Sequence, residues 1–177
     1  MGSEGKVVGM NVIRFYKGGR LHRDDGPAVI WSDGQKEWWV NGIMASIYLS
    51  NNDDITGRNN GGVRIWLKGG EQIHRVSAPA LIEYDENDKV TGHEWYLNGE
   101  CHRADGPAII DSYNRFIAYY IHGYRHRLDG PAVVNQQDDN DDEGPLLPDD
   151  FWDEYHLFGT QFSEKSYWDE VIVYACT

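Results

Sequence analysis

Four of the seven histidines in this chain belong to one short phrase that occurs four times. His22-Arg23-Asp24-Asp25-Gly26-Pro27-Ala28 recurs as His74-Arg75-Val76-Ser77-Ala78-Pro79-Ala80, as His102-Arg103-Ala104-Asp105-Gly106-Pro107-Ala108 and as His126-Arg127-Leu128-Asp129-Gly130-Pro131-Ala132. A histidine with an aspartate three residues on could be a base with its orienting carboxylate, or a metal ligand. Repetition argues against both, because a catalytic group is needed once and a fold-defining group in every unit. Equivalent residues two strands apart lie about 10 Å from each other, so neighbouring histidines cannot share a zinc ion at about 2 Å. Ser77 also replaces the aspartate in one copy, and Ala45 stands where a degenerate unit would have its histidine.

The phrase therefore reads as structural. Asp25, Asp105 and Asp129 are expected to accept turn amides, and the glycine that follows to take a φ other residues resist. Arg23, Arg103 and Arg127 pair with those carboxylates or with the neighbouring turn. His102 and its equivalents are expected to donate to a backbone carbonyl between units. No catalytic residue, metal ligand or cofactor is assigned. The chain has no Gly-Lys-Ser or Gly-Lys-Thr phosphate loop, no Gly-x-Ser-x-Gly elbow, no Cys-x-x-Cys pair and no His-Glu-x-x-His.

The elements that must position the phrase are strands. His93 to Leu97 reads as a strand, Asn98-Gly99 as a two-residue hairpin turn, and Glu100 to Arg103 as the returning strand. Pro107 then opens the next strand, Ala108 to Asp111. Six aromatic strands recur in this way: Arg14-Phe15-Tyr16, Trp38-Trp39-Val40, Ile65-Trp66-Leu67, Trp95-Tyr96-Leu97, Tyr119-Tyr120-Ile121 and Tyr155-His156-Leu157. The fold class is all-β, an antiparallel meander of about six stacked β-hairpin repeats, with Tyr167 to Cys176 as a closing strand. Residues 1–10 read as a flexible terminus or an appended scar. Residues 11–135 form the array, interrupted by a polar loop at 51–62. Residues 136–150 form an acidic loop or linker, and 151–177 a degenerate repeat with the closing strand.

The net charge is −13, which disfavours binding to nucleic-acid phosphates. Residues 136–154 hold nine acids and no Lys or Arg, so the rest of the chain carries only −4. One such tract does not space its charges as DNA does, so an acidic DNA mimic ranks low. No apolar run is long enough for a membrane span. Two cysteines, Cys101 and Cys176, make no disulfide framework and suggest reduced thiols in a cytoplasmic protein.

The phrase, with its preceding aromatic pair and Asn-Gly, resembles repeat proteins of large bacteriophages and giant viruses over residues 12–135. Its hairpin unit and period are also distantly similar to the MORN (membrane occupation and recognition nexus) repeat, although the regular glycines of that repeat are missing. The MORN resemblance implies an elongated hairpin sheet acting as a protein-binding scaffold. The viral one implies an accessory protein in host cytoplasm that binds a host protein such as a defence component, with inhibition as one outcome of that binding.

Alternation along the strands puts Trp38 and Val40, Trp95 and Leu97, and Tyr119 and Ile121 on one apolar face, the expected core. Tyr16, Trp39, Tyr96 and Tyr120 then line the opposite face as a partner-binding surface, or as a face covered by self-association. Asp138, Asp139, Asp141 and Asp142 add acidic contacts. Tyr124, Arg125 and Arg127 form the one basic cluster, a candidate anion or nucleotide site that competes with simple pairing to the acidic tract. A protein-interaction module is the leading reading, with no membrane and no nucleic acid as partner. A nucleotide-sequestering protein is the alternative, and a hydrolase built on a pair such as His126 and Asp129 ranks below it.

Overall fold

The computed structural model describes residues 3–53, 58–135 and 153–175. The chain divides into two compact units, Met1–Gly99 and Glu100–Thr177. The first contains β1 (Glu4–Val8), β2 (Val12–Lys17), β3 (Arg20–Leu21), β4 (Val29–Trp31), β5 (Lys36–Val40), β6 (Ile43–Asp53), β7 (Arg58–Lys68), β8 (Gln72–Ile73), β9 (Leu81–Tyr84), β10 (Val90–Glu94) and β11 (Tyr96–Leu97). Its sheet runs β1-β2-β4-β5-β6-β7-β9-β10, with β3 beside β2 and β8 beside β7. Every pairing recorded in it is antiparallel.

The second unit contains β12 (Glu100–Cys101), β13 (Ile109–Asp111), β14 (Phe116–Ala118), β15 (Tyr120–Ile121), β16 (Tyr124–Arg125), β17 (Val133–Asn135), β18 (Tyr155–Leu157), β19 (Thr160–Phe162) and α1 (Glu164–Ala175). β13, β14 and β17 are neighbours in the same antiparallel sense, and β15-β16 and β18-β19 are small hairpins. The fold is thus all-β and meandering, with one helix among the described residues. That helix is too short to cross a membrane.

Among the described residues, six hairpin turns mark six repeats. Each places two consecutive residues at positive φ, from Gly18-Gly19 (58° and 76°) through Asn41-Gly42, Gly69-Gly70, Asn98-Gly99 and His122-Gly123 to Phe158-Gly159 (46° and 84°). This is the turn whose twist suits a two-residue hairpin, and the second place is glycine every time.

Three expectations from the sequence are corrected. The polar insertion at 51–62 is not a plain loop: Asn51 to Asp53 extends β6 and Arg58 to Gly62 opens β7, so the degenerate unit is a long hairpin. Residues 4–8 are a strand rather than a loose end, because Glu4 and Lys6 pair across to Lys17 and Phe15. The C-terminal segment is a helix where a closing strand was expected. Ser163 caps α1 by accepting the Ser166 amide on its hydroxyl at 3.3 Å. Tyr167 then enters the interior at 0 % exposure, its hydroxyl donating to the Arg127 carbonyl.

The core also differs from the expected apolar face. Val40 is 49 % exposed, and Trp38, Trp95 and Tyr119 are only half-buried. The fully enclosed residues are instead the alanines that close each phrase: Ala28 and Ala80 in the first unit, Ala108 and Ala132 in the second, all at 0 % exposure. Val29 joins them in the first unit, and Ala118, Val133, Leu157 and Tyr167 in the second. Interiors this thin leave directional bonds to set the register.

Candidate functional site

The phrase builds the same cassette wherever it occurs, and its histidine is the staple. Nδ1 of His22 accepts the Asn41 amide (3.1 Å), His74 that of Asn98 (2.9 Å), His102 that of His122 (3.1 Å) and His126 that of Phe158 (3.3 Å). In each case the donor is the first residue of the next hairpin turn, held at φ between 46° and 53°. A non-glycine residue pays a cost in that region, which the bond to histidine offsets. The histidine thus accepts from an amide, where donation to a carbonyl was expected, so its ring must be neutral and protonated on Nε2. The two turns that begin with glycine, Gly18 and Gly69, are the two that no phrase histidine precedes by one unit.

The arginine is the filler. Arg127 Nε donates to Asp129 at 2.7 Å, Nη1 reaches the Pro131 carbonyl at 3.2 Å, and the guanidinium lies 4.1 Å over the Tyr119 ring. Arg23 repeats this with Asp25, Pro27 and Phe15, and Arg75 with Pro79 and Trp66, its Ser77 copy lacking the carboxylate. Arg103 makes the same bonds to Asp105 and Pro107. The guanidinium holds the carboxyls of Asp25, Asp105 and Asp129 below the usual range. The aspartates therefore answer the arginine side chain, not chiefly the turn amides.

The phrase glycine has a related cause. A Cβ on Gly26, Gly106 or Gly130 would lie 3.3, 3.1 or 3.4 Å from the guanidinium carbon. Close approach of the arginine explains glycine at all three, and positive φ applies only to Gly130. The degenerate unit keeps this stacking with a substitute. Arg64 on β7 lies 4.0 Å over Trp38 and 4.7 Å over Trp66, and burial lowers its pKa.

One copy does contain a close histidine–carboxylate pair, and it is not the expected one. His126 does not meet Asp129, which is bonded to Arg127. His22 instead bonds Asp24 at 2.8 Å, and Asp24 also pairs with Lys17 at 2.7 Å. The other copies have Val76, Ala104 and Leu128 at that place. With Nδ1 on the Asn41 amide and Nε2 on Asp24, His22 has no nitrogen left to act as a base. A groove of about 450 Å³ lies beside it, walled by Phe15, Tyr16, Lys6, Lys17 and Arg23 among others. Among the described residues no group of three His, Cys, Asp or Glu is placed to hold a metal ion.

Comparison with protein-family models, curated proteins and solved structures finds no match. The site must be read from its own geometry.

The expected partner-binding rings are half-buried, and three of them have bonded polar ends. Trp39 donates to Glu37 at 2.6 Å, Tyr96 to Glu94 at 2.8 Å, and the Tyr120 hydroxyl accepts from Arg125 at 3.1 Å. Tyr16 is half-buried beside the groove. Asp138, Asp139, Asp141 and Asp142 lie outside the described residues. The basic cluster does not converge on one ligand position. Arg125 is ion-paired with Glu154, which also takes a 2.6 Å bond from His156 Nε2, and Arg127 is engaged with Asp129. Glu154 and His156 are 5 % and 6 % exposed, and His156 Nδ1 has no hydrogen-bond partner among the described residues.

The sequence reading missed the exposed apolar residues of the C-terminal helix, because it placed a strand there. Trp168, Ile172, Val173 and Tyr174 lie on the surface, from 41 % to 63 % exposed, as do Phe158 and Tyr124, of which only Tyr124 was among the expected site residues. The signal for a helix was the Ser163 cap followed by Tyr167 and Val171 four residues apart.

Proposed function

We propose that this chain is a non-catalytic protein-interaction module, an accessory protein of viral type that binds a host protein. One observation carries the reading: in all four phrases the histidine Nδ1 is occupied by a backbone amide of the next turn. The residues with the best chemical credentials hold the fold together, which favours binding over catalysis. The exposed aromatic residues of the second unit support the same reading, since contiguous apolar surface marks interaction sites. Nucleotide sequestration is disfavoured, because an anion at Arg125 and Arg127 would have to displace Glu154 and Asp129.

Native mass spectrometry of the protein, gently isolated from cells in which it acts, tests the proposal. A mass equal to this chain plus a second protein is the expected result. A gain of a few hundred daltons, or the bare chain, would refute it.

A further inference from the structure

We propose that the exposed aromatic ledge around the last hairpin turn receives an arginine- or lysine-bearing segment of a protein partner. This rests on the interaction-module reading and adds the surface and the partner's chemistry. The ledge is built from three places in the second unit. Phe158 opens the turn, its ring stacked on His126 with centroids 4.0 Å apart. Tyr174, in the last turn of α1, lies 5.6 Å from Phe158 on a tilted plane. Tyr124 lies across Gly159, where an added Cβ would come within 2.9 Å of its ring. The three are 60 % (Tyr124), 46 % (Phe158) and 51 % (Tyr174) exposed, and Val173 beside them is 56 % exposed.

Charge selects the occupant. α1 carries Glu164, Asp169 and Glu170 against the single Lys165, with no basic residue in its last turn. Glu170 is exposed one turn before Tyr174, on the same face of the helix. The carbonyl end of the helix beside them adds partial negative charge. Aromatic faces edged with negative charge attract cations, guanidinium above all. The chain uses that pairing internally, with Arg23, Arg75 and Arg127 each 4.1 Å over a ring. A second copy fits poorly, since it would bring one Glu170 and helix end toward another.

The test uses the full chain and a fluorescein-labelled peptide of alternating Arg and Ser, with alternating Gln and Ser as control, read by anisotropy. The variant is Phe158→Asn with Tyr174→Ser, which changes no charge. Asn already opens two of the hairpin turns, at Asn41 and Asn98. The expected result is binding of the Arg peptide that weakens about ten-fold in the double variant, in line with two lost ring contacts. Circular dichroism and melting temperature confirm that the variant is folded, and Tyr124→Ser replaces Phe158→Asn if it is not.

Equal affinity of wild type and folded variant would overturn the proposal, since attraction to the acidic tract would then account for binding. Absence of Arg-peptide binding, or a dimer in sedimentation that the variant abolishes, would also overturn it. Each of these leaves the interaction-module reading to the mass measurement, which can fail or succeed separately.

Discussion

Replacing His22 tests the staple where it is best buried. Its ring is 8 % exposed, with Nδ1 on the Asn41 amide at 3.1 Å and Nε2 on Asp24 at 2.8 Å. His22→Ala strands a part-buried amide, at a cost of about 1–3 kcal/mol. Loss of the imidazole's packing adds about 1 kcal/mol. The Asp24 bond adds about 0–1 kcal/mol, because that carboxylate is largely exposed. The expected destabilisation is about 3 kcal/mol. His22→Asn places a carbonyl oxygen near the position of Nδ1, restores the amide's acceptor, and should lose only about 1–1.5 kcal/mol.

Urea unfolding followed by tryptophan fluorescence measures both. With a slope of about 2 kcal/mol per molar urea, the alanine variant should shift the midpoint down by about 1.5 M and the asparagine variant by less than about 0.8 M. Midpoints are compared because repeat arrays can unfold in steps. Equal losses in the two variants would show that the acceptor is irrelevant. An alanine variant within about 0.5 kcal/mol of wild type would refute the staple altogether.

Acid should loosen the array through the same bonds. Burial holds His102 and His126 below the ordinary 6.5, with the neighbouring His122 as a second cause for His102. A depressed folded-state value means the unfolded chain binds protons first, so this stability is complete above pH 6.5 and is lost as pH falls through the folded values. Melting temperature should drop below pH 6.5, and the drop should flatten in the His102→Asn, His126→Asn double variant. Arg127→Lys should destabilise by about 1–2 kcal/mol in chemical denaturation, because an ammonium cannot bond Asp129 and Pro131 while stacking flat on Tyr119. Tyr167→Phe should lose about 1–3 kcal/mol by removing the hydroxyl that serves the Arg127 carbonyl and the Gly130 amide. Amide exchange should rise first in α1 and at Gly130, and unchanged exchange there would contradict the anchoring role of Tyr167.

The fold was legible where a residue's meaning is local. Asn41-Gly42 and Asn98-Gly99 are hairpin turns on their face, and the proline of each phrase leads into a strand as its fixed φ requires. Arginine pairing with aspartate two residues on was equally readable. Direction and distance were not. His102 meets its partner 20 residues downstream and His126 meets its own 32 downstream, so sequence alone could not say which group donates. Val171-Ile172-Val173 reads as a strand by composition, and the Ser163 cap with burial of Tyr167 within the second unit decides for a helix. The aromatic face offers less free surface than strand alternation alone implies, because Trp39 and Tyr96 donate to the neighbouring carboxylates of Glu37 and Glu94. A usable clue was present all along: Gly-Gly opens the hairpins at Gly18 and Gly69, where no phrase histidine is available to hold a bulkier first residue.

The central claim, that the repeated histidine is a neutral acceptor stapling one hairpin to the next, is tested most directly by nitrogen-15 NMR of the imidazole rings at pH 7.5. His22, His74, His102 and His126 should all appear as the Nε2-protonated tautomer, with Nδ1 shifted by an accepted hydrogen bond. Histidines that are charged at that pH, or protonated on Nδ1, could not accept those amides, and the account of the repeat would fail.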